Sequence, residues 1–184
     1  MIEIRIHGRG GQGAQVACQI LASAFFRGGR YVQAFTAYGG ERRGAPVTAY
    51  LRVDDTPIRV RCDIERPHHA LVLDPTMTGE IDVIALRPGG ALVVNTPGGI
   101  SAGPPPGVHL VEVDAAVIAQ RAGLGPIVAT AVMGAFAGAT GLVALDDLIA
   151  AVEEGSPAKK RENVQACTEA YLNAARCAPA EAQR

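Results

Sequence analysis

The first thirteen residues of the chain constrain its fold more than any other stretch. Ile2, Ile4 and Ile6 alternate with Glu3, Arg5 and His7, the period of a strand with two unlike faces. That strand runs straight into Gly8-Arg9-Gly10-Gly11-Gln12-Gly13, whose glycines at 8, 10 and 13 have G-x-G-x-x-G spacing. From Gly13 to about Arg27, Val16, Ile20, Leu21 and Ala24 recur at helical spacing, and Gly28-Gly29 supplies the stop. A further strand is predicted at about Tyr31 to Phe35. Strand, glycine loop, helix and strand in this order open a parallel α/β unit with a right-handed crossover.

The pattern continues along the chain. Pro46 to Val53 and Ile58 to Arg61 read as a hairpin around Asp54-Asp55-Thr56-Pro57. Ala70 to Leu73 reads as a short buried strand, Glu80 to Leu86 as helical, and Ala91 to Asn95 and Val108 to Val113 as strands. A Pro- and Gly-rich loop, Thr96 to Gly107, lies between the last two. Asp114 is a candidate helix cap and Pro126 a candidate first-turn residue of the next helix. Ile127 to Leu145 carries no charge, but Gly141 should end that helix short of the ~20 residues needed to cross a bilayer. Gly134 and Gly138 would let it approach a neighbour closely. Leu148, Ile149 and Val152 belong to another helix, and Ala158 to about Arg176 to the last. With 184 residues, the expectation is one domain, 1–184: a three-layer, Rossmann-like α/β fold with a mostly parallel sheet, an inserted β-hairpin and a C-terminal helical segment.

Charge divides the chain. Residues 1–61 hold nine arginines against four acids, and residues 62–184 hold eight basic residues against fourteen acidic ones, so the two parts should face different partners. Aromatic residues are only 4% and Trp is absent, which argues against a stacking platform for nucleic acid. The N-terminus lacks the uninterrupted apolar run of a secretory signal, so a cytoplasmic location and no membrane contact are expected. Cysteines at 18, 62, 167 and 177 fit neither a zinc knuckle nor a cluster-binding run. Cys18, on the apolar side of the first helix, and Cys62, near a strand end, read as inert thiols. His68-His69 lacks a third ligand for a metal, His7 and His109 read as strand-end residues, and Lys159-Lys160-Arg161 reads as a solvated helix start.

The glycine loop is compatible with three uses: backbone amides cradling a phosphate, tight packing of helix on strand, or a dinucleotide site. The last needs an acid about 20 residues on for the ribose, and Tyr31-Val32-Gln33-Ala34-Phe35 offers none. A second signal is Tyr38-Gly39-Gly40-Glu41-Arg42-Arg43-Gly44-Ala45-Pro46, a loop at the C-terminal side of the second predicted strand. Arg42 and Arg43 could clamp a phosphate or a partner's carboxylate, or one could pair with Glu41. The candidate anion-binding set is therefore Gly8, Gly10, Gly11, Gln12, Gly13, Arg42 and Arg43.

In combination, several motifs resemble the gamma subunit of the 2-oxoacid:ferredoxin oxidoreductases, of which pyruvate:ferredoxin oxidoreductase is the best-known type. They are Arg5 to Gly13, Gly40 to Val47, Arg87-Pro88-Gly89-Gly90, Val94-Asn95-Thr96, Met133-Gly134-Ala135-Phe136 within Pro126 to Val143, Glu162-Asn163-Val164 and Tyr171. The resemblance covers nearly the whole chain. Ala129 departs from the Asn that many members carry before the Thr-Ala run, and Gly98 to Gly107 is unusually Pro-rich.

The resemblance implies oxidative decarboxylation of a 2-oxoacid to acyl-coenzyme A, with electrons passed to ferredoxin or a similar acceptor. Thiamine diphosphate, Mg and [4Fe-4S] clusters belong, on this reading, to catalytic alpha and beta subunits and a ferredoxin-like delta component. This chain has no Gly-Asp-Gly motif for thiamine diphosphate. It is expected to be inactive alone and to serve as a companion that helps accommodate coenzyme A. The alternatives are a stand-alone dinucleotide-binding oxidoreductase or a nucleotide-sensing assembly module.

Overall fold

The computed structural model describes residues 1–38, 44–79, 85–100 and 103–177. Six strands form one sheet: β1 (Ile2–Arg9), β2 (Tyr31–Tyr38), β3 (Pro46–Asp54), β4 (His69–Val72), β5 (Ala91–Asn95) and β6 (His109–Val113), in the spatial order β2-β3-β1-β4-β5-β6. β1, β4, β5 and β6 are parallel neighbours, while β3 runs antiparallel to both β1 and β2. The helices are α1 (Ala14–Arg27), α2 (Ala115–Arg121), α3 (Ala129–Thr140), α4 (Leu145–Gly155) and α5 (Lys160–Cys177), with a short 3-10 turn at Pro75–Gly79. The mixed α/β class and mostly parallel sheet match the expectation. The predicted helix Glu80 to Leu86 falls largely outside the described residues.

The hairpin is a different pair from the expected one. Pro46–Asp54 pairs with β2 on one side and β1 on the other, so β3 has no open edge left for residues 58–61, which form no strand. β3 therefore lies between β1 and β2, and the expected strand–helix–strand unit is split. Pro126 also stands ahead of its helix: Val128 is the residue preceding the first turn of α3. Gly141, at φ 64, ends α3 as expected.

All five helices lie on one face. There Ile4, Ile6, Leu51, Leu71 and Val93 join the side chains of α1 to α5 in one apolar cluster. α1 and α3 pack on the strands, and α4 and α5 pack against those helices in turn. α3 is enclosed, with every residue from Ala129 to Ala139 buried.

The other face has no helix among the described residues. Over β4 and β5, Met77, Leu86 and Val108 cover Ala70, Val72, Leu92 and Val94. Over β1 and β3 the cover is coil, and the charged side of the first strand is buried beneath it. Arg52 is fully buried, donating to Glu3 at 3.1 Å, to Gln33 at 3.0 Å and to the carbonyls of Cys62 and Asp63 at 2.7 and 3.3 Å. Glu3 also takes Arg87 at 2.8 Å, and Arg5 donates to the Ile64 carbonyl at 2.6 Å.

From β1 the chain reaches β2 through α1 on the helical face, while Met77, Leu86, Ile100 and Val108, from the described parts of the β4–β5 and β5–β6 connections, lie on the other. Strand order thus reverses between β1 and β4, and the crevice beyond their carboxyl ends is where open α/β sheets place ligands.

Candidate functional site

The glycine loop fills that crevice. Gly11 and Gly13 have φ of 98° and 86°, a conformation that side-chain-bearing residues rarely adopt. Gly8 is needed for room, since a Cβ there would stand 3.2 Å from Leu73 Cδ1. The loop partly bonds to its own chain. Gly10 N–H donates to the Ala45 carbonyl at 2.8 Å and Gly44 N–H to the Gly10 carbonyl at 3.2 Å. Gly8, Gly10, Gly11, Gln12 and Gly13 are thus brought together, whereas Arg42 and Arg43 lie outside the described residues.

A polar cluster closes the mouth of the loop. Gln12 Oε1 accepts from Arg9 N–H at 2.7 Å, and its Nε2 donates to Asp74 Oδ2 at 2.9 Å. The same Asp74 oxygen lies 3.3 Å from Arg9 Nε. Asp74 Oδ1 accepts from Thr76 N–H at 3.0 Å and from its hydroxyl at 2.7 Å, while Arg9 Nη2 donates to Thr76 Oγ1 at 3.0 Å. Burial pushes the Asp74 carboxyl up, but the bonds from Thr76 and Gln12 and the Arg9 charge outweigh it and hold the group below its ordinary value. It is ionised at neutral pH.

Two helix starts meet at this crevice. No side chain caps α1 or α3, and neither has an acid in its first turn. A Cβ on Gly13 would lie 3.6 Å from the Cβ of Ala129, so the two starts adjoin. Their amide ends carry partial positive charge, which favours an anion.

Asp74, Thr76 and the start of α3 were not among the sequence-derived candidates. A lone acid after a short apolar strand is an unremarked pattern. Only knowledge of which strand neighbours β1 would have singled it out.

The other candidates are structural. Cys18 is buried, its thiol pushed up to about 12 by desolvation, with Sγ 3.3 Å from the Tyr50 carbonyl. Cys62 is exposed, on coil held by Arg52. His69 Nδ1 accepts from Ala91 N–H at 3.1 Å, and burial followed by the charge of His68 lowers its pKa to about 4. His7 is lowered to about 4 by burial and then by Arg5. Lys159 donates to the Gly123 carbonyl at 2.6 Å. No group of three or more His, Cys, Asp or Glu side chains suited to a metal occurs among the described residues. No helix among them is long and apolar enough to cross a membrane. A groove of about 390 Å³ between β6, α2, α3 and α5 has an apolar wall of Val111, Ile118, Ala135 and Ala139, with β4 and β5 standing between β6 and the strand that carries the glycine loop.

Comparison with known proteins accounts for nearly the full length. A model of the pyruvate ferredoxin/flavodoxin oxidoreductase family matches residues 3–173. The chain is 49% identical over 179 residues to the pyruvate/ketoisovalerate oxidoreductases common subunit gamma of Thermococcus kodakarensis, with 93% of this chain and 96% of that one covered. It is 46% identical over 173 residues to pyruvate synthase subunit PorC of Methanothermobacter thermautotrophicus, covering 93% and 94%. The crystal structure of the pyruvate oxidoreductase subunit PORC of Thermotoga maritima superposes with a TM-score of 0.77 at 31% identity, covering 93% of this chain and 95% of that one. The sheet, the glycine loop and these likenesses converge: the chain belongs to the pyruvate ferredoxin/flavodoxin oxidoreductase family, as a gamma-type subunit of a 2-oxoacid:ferredoxin oxidoreductase.

Proposed function

We propose that this chain is the non-catalytic companion in a cytoplasmic complex that converts a 2-oxoacid and coenzyme A to acyl-coenzyme A and carbon dioxide. In this reading its glycine loop, with Arg42 and Arg43, lies at a subunit junction on the route of coenzyme A. Alpha and beta subunits would hold thiamine diphosphate and Mg, and a ferredoxin-like delta component the [4Fe-4S] clusters. Those groups supply the decarboxylating and electron-carrying chemistry. The donor sets among this chain's described residues do not fit them.

One observation carries the role in coenzyme A binding. Two uncapped helix starts adjoin at the Gly13–Ala129 contact, beyond the carboxyl ends of β1 and β4. A Cβ at Gly11 would meet nothing within 4 Å and one at Gly13 only the Cβ of Ala129, an open backbone that suits the several phosphates of coenzyme A. The local excess of arginine in residues 1–61 favours the same ligand. The dinucleotide alternative is opposed by the missing ribose acid, since Tyr31 to Phe35 offers no carboxylate.

The test is kinetic, on the assembled complex from its own host. Arg42→Ala and Arg43→Ala should raise KM for coenzyme A more than KM for the 2-oxoacid. Equal losses in both, or dissociation of the complex, would leave these residues a purely structural role. Turnover of a 2-oxoacid by the isolated chain would overturn the companion reading itself.

A further inference from the structure

Resting on that anion-site reading, we propose that Asp74 is an internal counter-ion of the glycine loop. It neutralises Arg9 until a phosphate group of the substrate replaces its carboxylate on the guanidinium and on Gln12.

The two carboxylate oxygens divide the task. Oδ1 is held by the N–H and hydroxyl of Thr76, at 3.0 and 2.7 Å. Oδ2 is the oxygen that faces the loop, 2.9 Å from Gln12 Nε2 and 3.3 Å from Arg9 Nε. Asp74 can release Oδ2 without losing its place, because Thr76 keeps hold of the other oxygen. Arg9 is the more exposed partner, 28% against 13% for Asp74, so an incoming anion reaches the guanidinium first. Thr76 Oγ1 also accepts from Arg9 Nη2 at 3.0 Å, which keeps that guanidinium aimed at the crevice during the exchange. The exchange moves no proton and breaks no covalent bond. Asp74 is already ionised, its carboxyl held below its ordinary value by Thr76, Gln12 and Arg9 against the effect of burial.

Such an arrangement selects for substrate class. A resident carboxylate is present at an effective concentration that a free carboxylate in solution cannot match. A 2-oxoacid, which offers only the same group, therefore fails to displace Asp74. A phosphate dianion brings more charge and can displace it. The site would thereby admit the phosphate-bearing substrate of the reaction and refuse the carboxylate-bearing one.

The test compares Asp74→Asn, Arg9→Gln and the double variant in the assembled complex, reading KM for coenzyme A. Asp74→Asn should lower KM by about 3-fold or more, because the phosphate no longer has to displace a carboxylate from Arg9. Arg9→Gln should raise it, and adding Asp74→Asn to Arg9→Gln should give no further fall. Unchanged or raised KM in Asp74→Asn, with KM still raised in Arg9→Gln, overturns the counter-ion and leaves the anion site standing. No change in either single variant overturns the anion site as well. Should the variants fail to assemble, the unmodified complex decides the question at pH 8, with inorganic phosphate and acetate as competitors against coenzyme A. Phosphate should compete and acetate should not, and equal competition overturns the proposal.

Discussion

Gly134 of α3 lies directly against the backbone of Cys167 in α5: a Cβ on the glycine would stand 2.2 Å from the Cys167 carbonyl oxygen. One turn on, Gly138 has the same relation to Tyr171, also at 2.2 Å. Replacing Gly by Ala within a helix ordinarily gains ~1 kcal/mol. Here the helices would have to part, so Gly134→Ala should cost ~3 kcal/mol or more, as overpacking does. Thermal unfolding of the variant and parent checks this, and a raised Tm would contradict the close crossing.

The buried charges of the opposite face should be worth most as a set. Arg52→Ala leaves Glu3 short of one partner and frees the carbonyls of Cys62 and Asp63. Breaking a buried pair from one side costs about 3–5 kcal/mol. The coil that Arg52 holds should loosen before the rest of the fold. Limited trypsin digestion is the readout, with faster cutting after Arg59 and Arg61 expected in the variant.

Acid should weaken the fold through histidine. His7 and His69 titrate at about 4 in the folded chain against an ordinary 6.5. Between those values the unfolded chain binds more protons, so their contribution is full above about pH 6.5 and is lost as pH falls toward about 4. Urea unfolding from pH 7 to pH 4.5 should show falling stability, and His69→Phe should remove one proton from the slope. An unchanged slope would show that His69 is not held neutral by burial.

A smaller effect is expected at Asn163, 4% exposed, where Oδ1 accepts from Thr130 at 3.0 Å and Nδ2 donates to the carbonyls of Ala158 and Lys159. Asn163→Ala strands a buried hydroxyl, at a cost of about 1–3 kcal/mol. The paired variant Asn163→Ala with Thr130→Val should recover part of that loss in a denaturation series.

What could be read from the sequence was local. Alternation at Ile2, Ile4 and Ile6, the glycine spacing at 8, 10 and 13, and the uncharged run through α3 each depend on near neighbours. The family resemblance likewise rests on contiguous motifs. The place of β3 was not legible, because which strand takes which edge is decided by pairings dozens of residues apart. Asp74 was hidden for the same reason, since its meaning depends on β4 lying beside β1. The alternation of Glu3 with its isoleucines marks two unlike faces without saying what covers the charged one. Burial of that side became evident only once Arg52 and the coil carbonyls were seen to satisfy it.

That coil separates anchoring from display. Two guanidinium groups fix the chain, Arg52 at Cys62 and Asp63 and Arg5 at Ile64, while Arg59, Val60, Arg61, Glu65 and Arg66 are exposed. Its outer residues can therefore be rewritten to suit a different neighbour at little cost in folding.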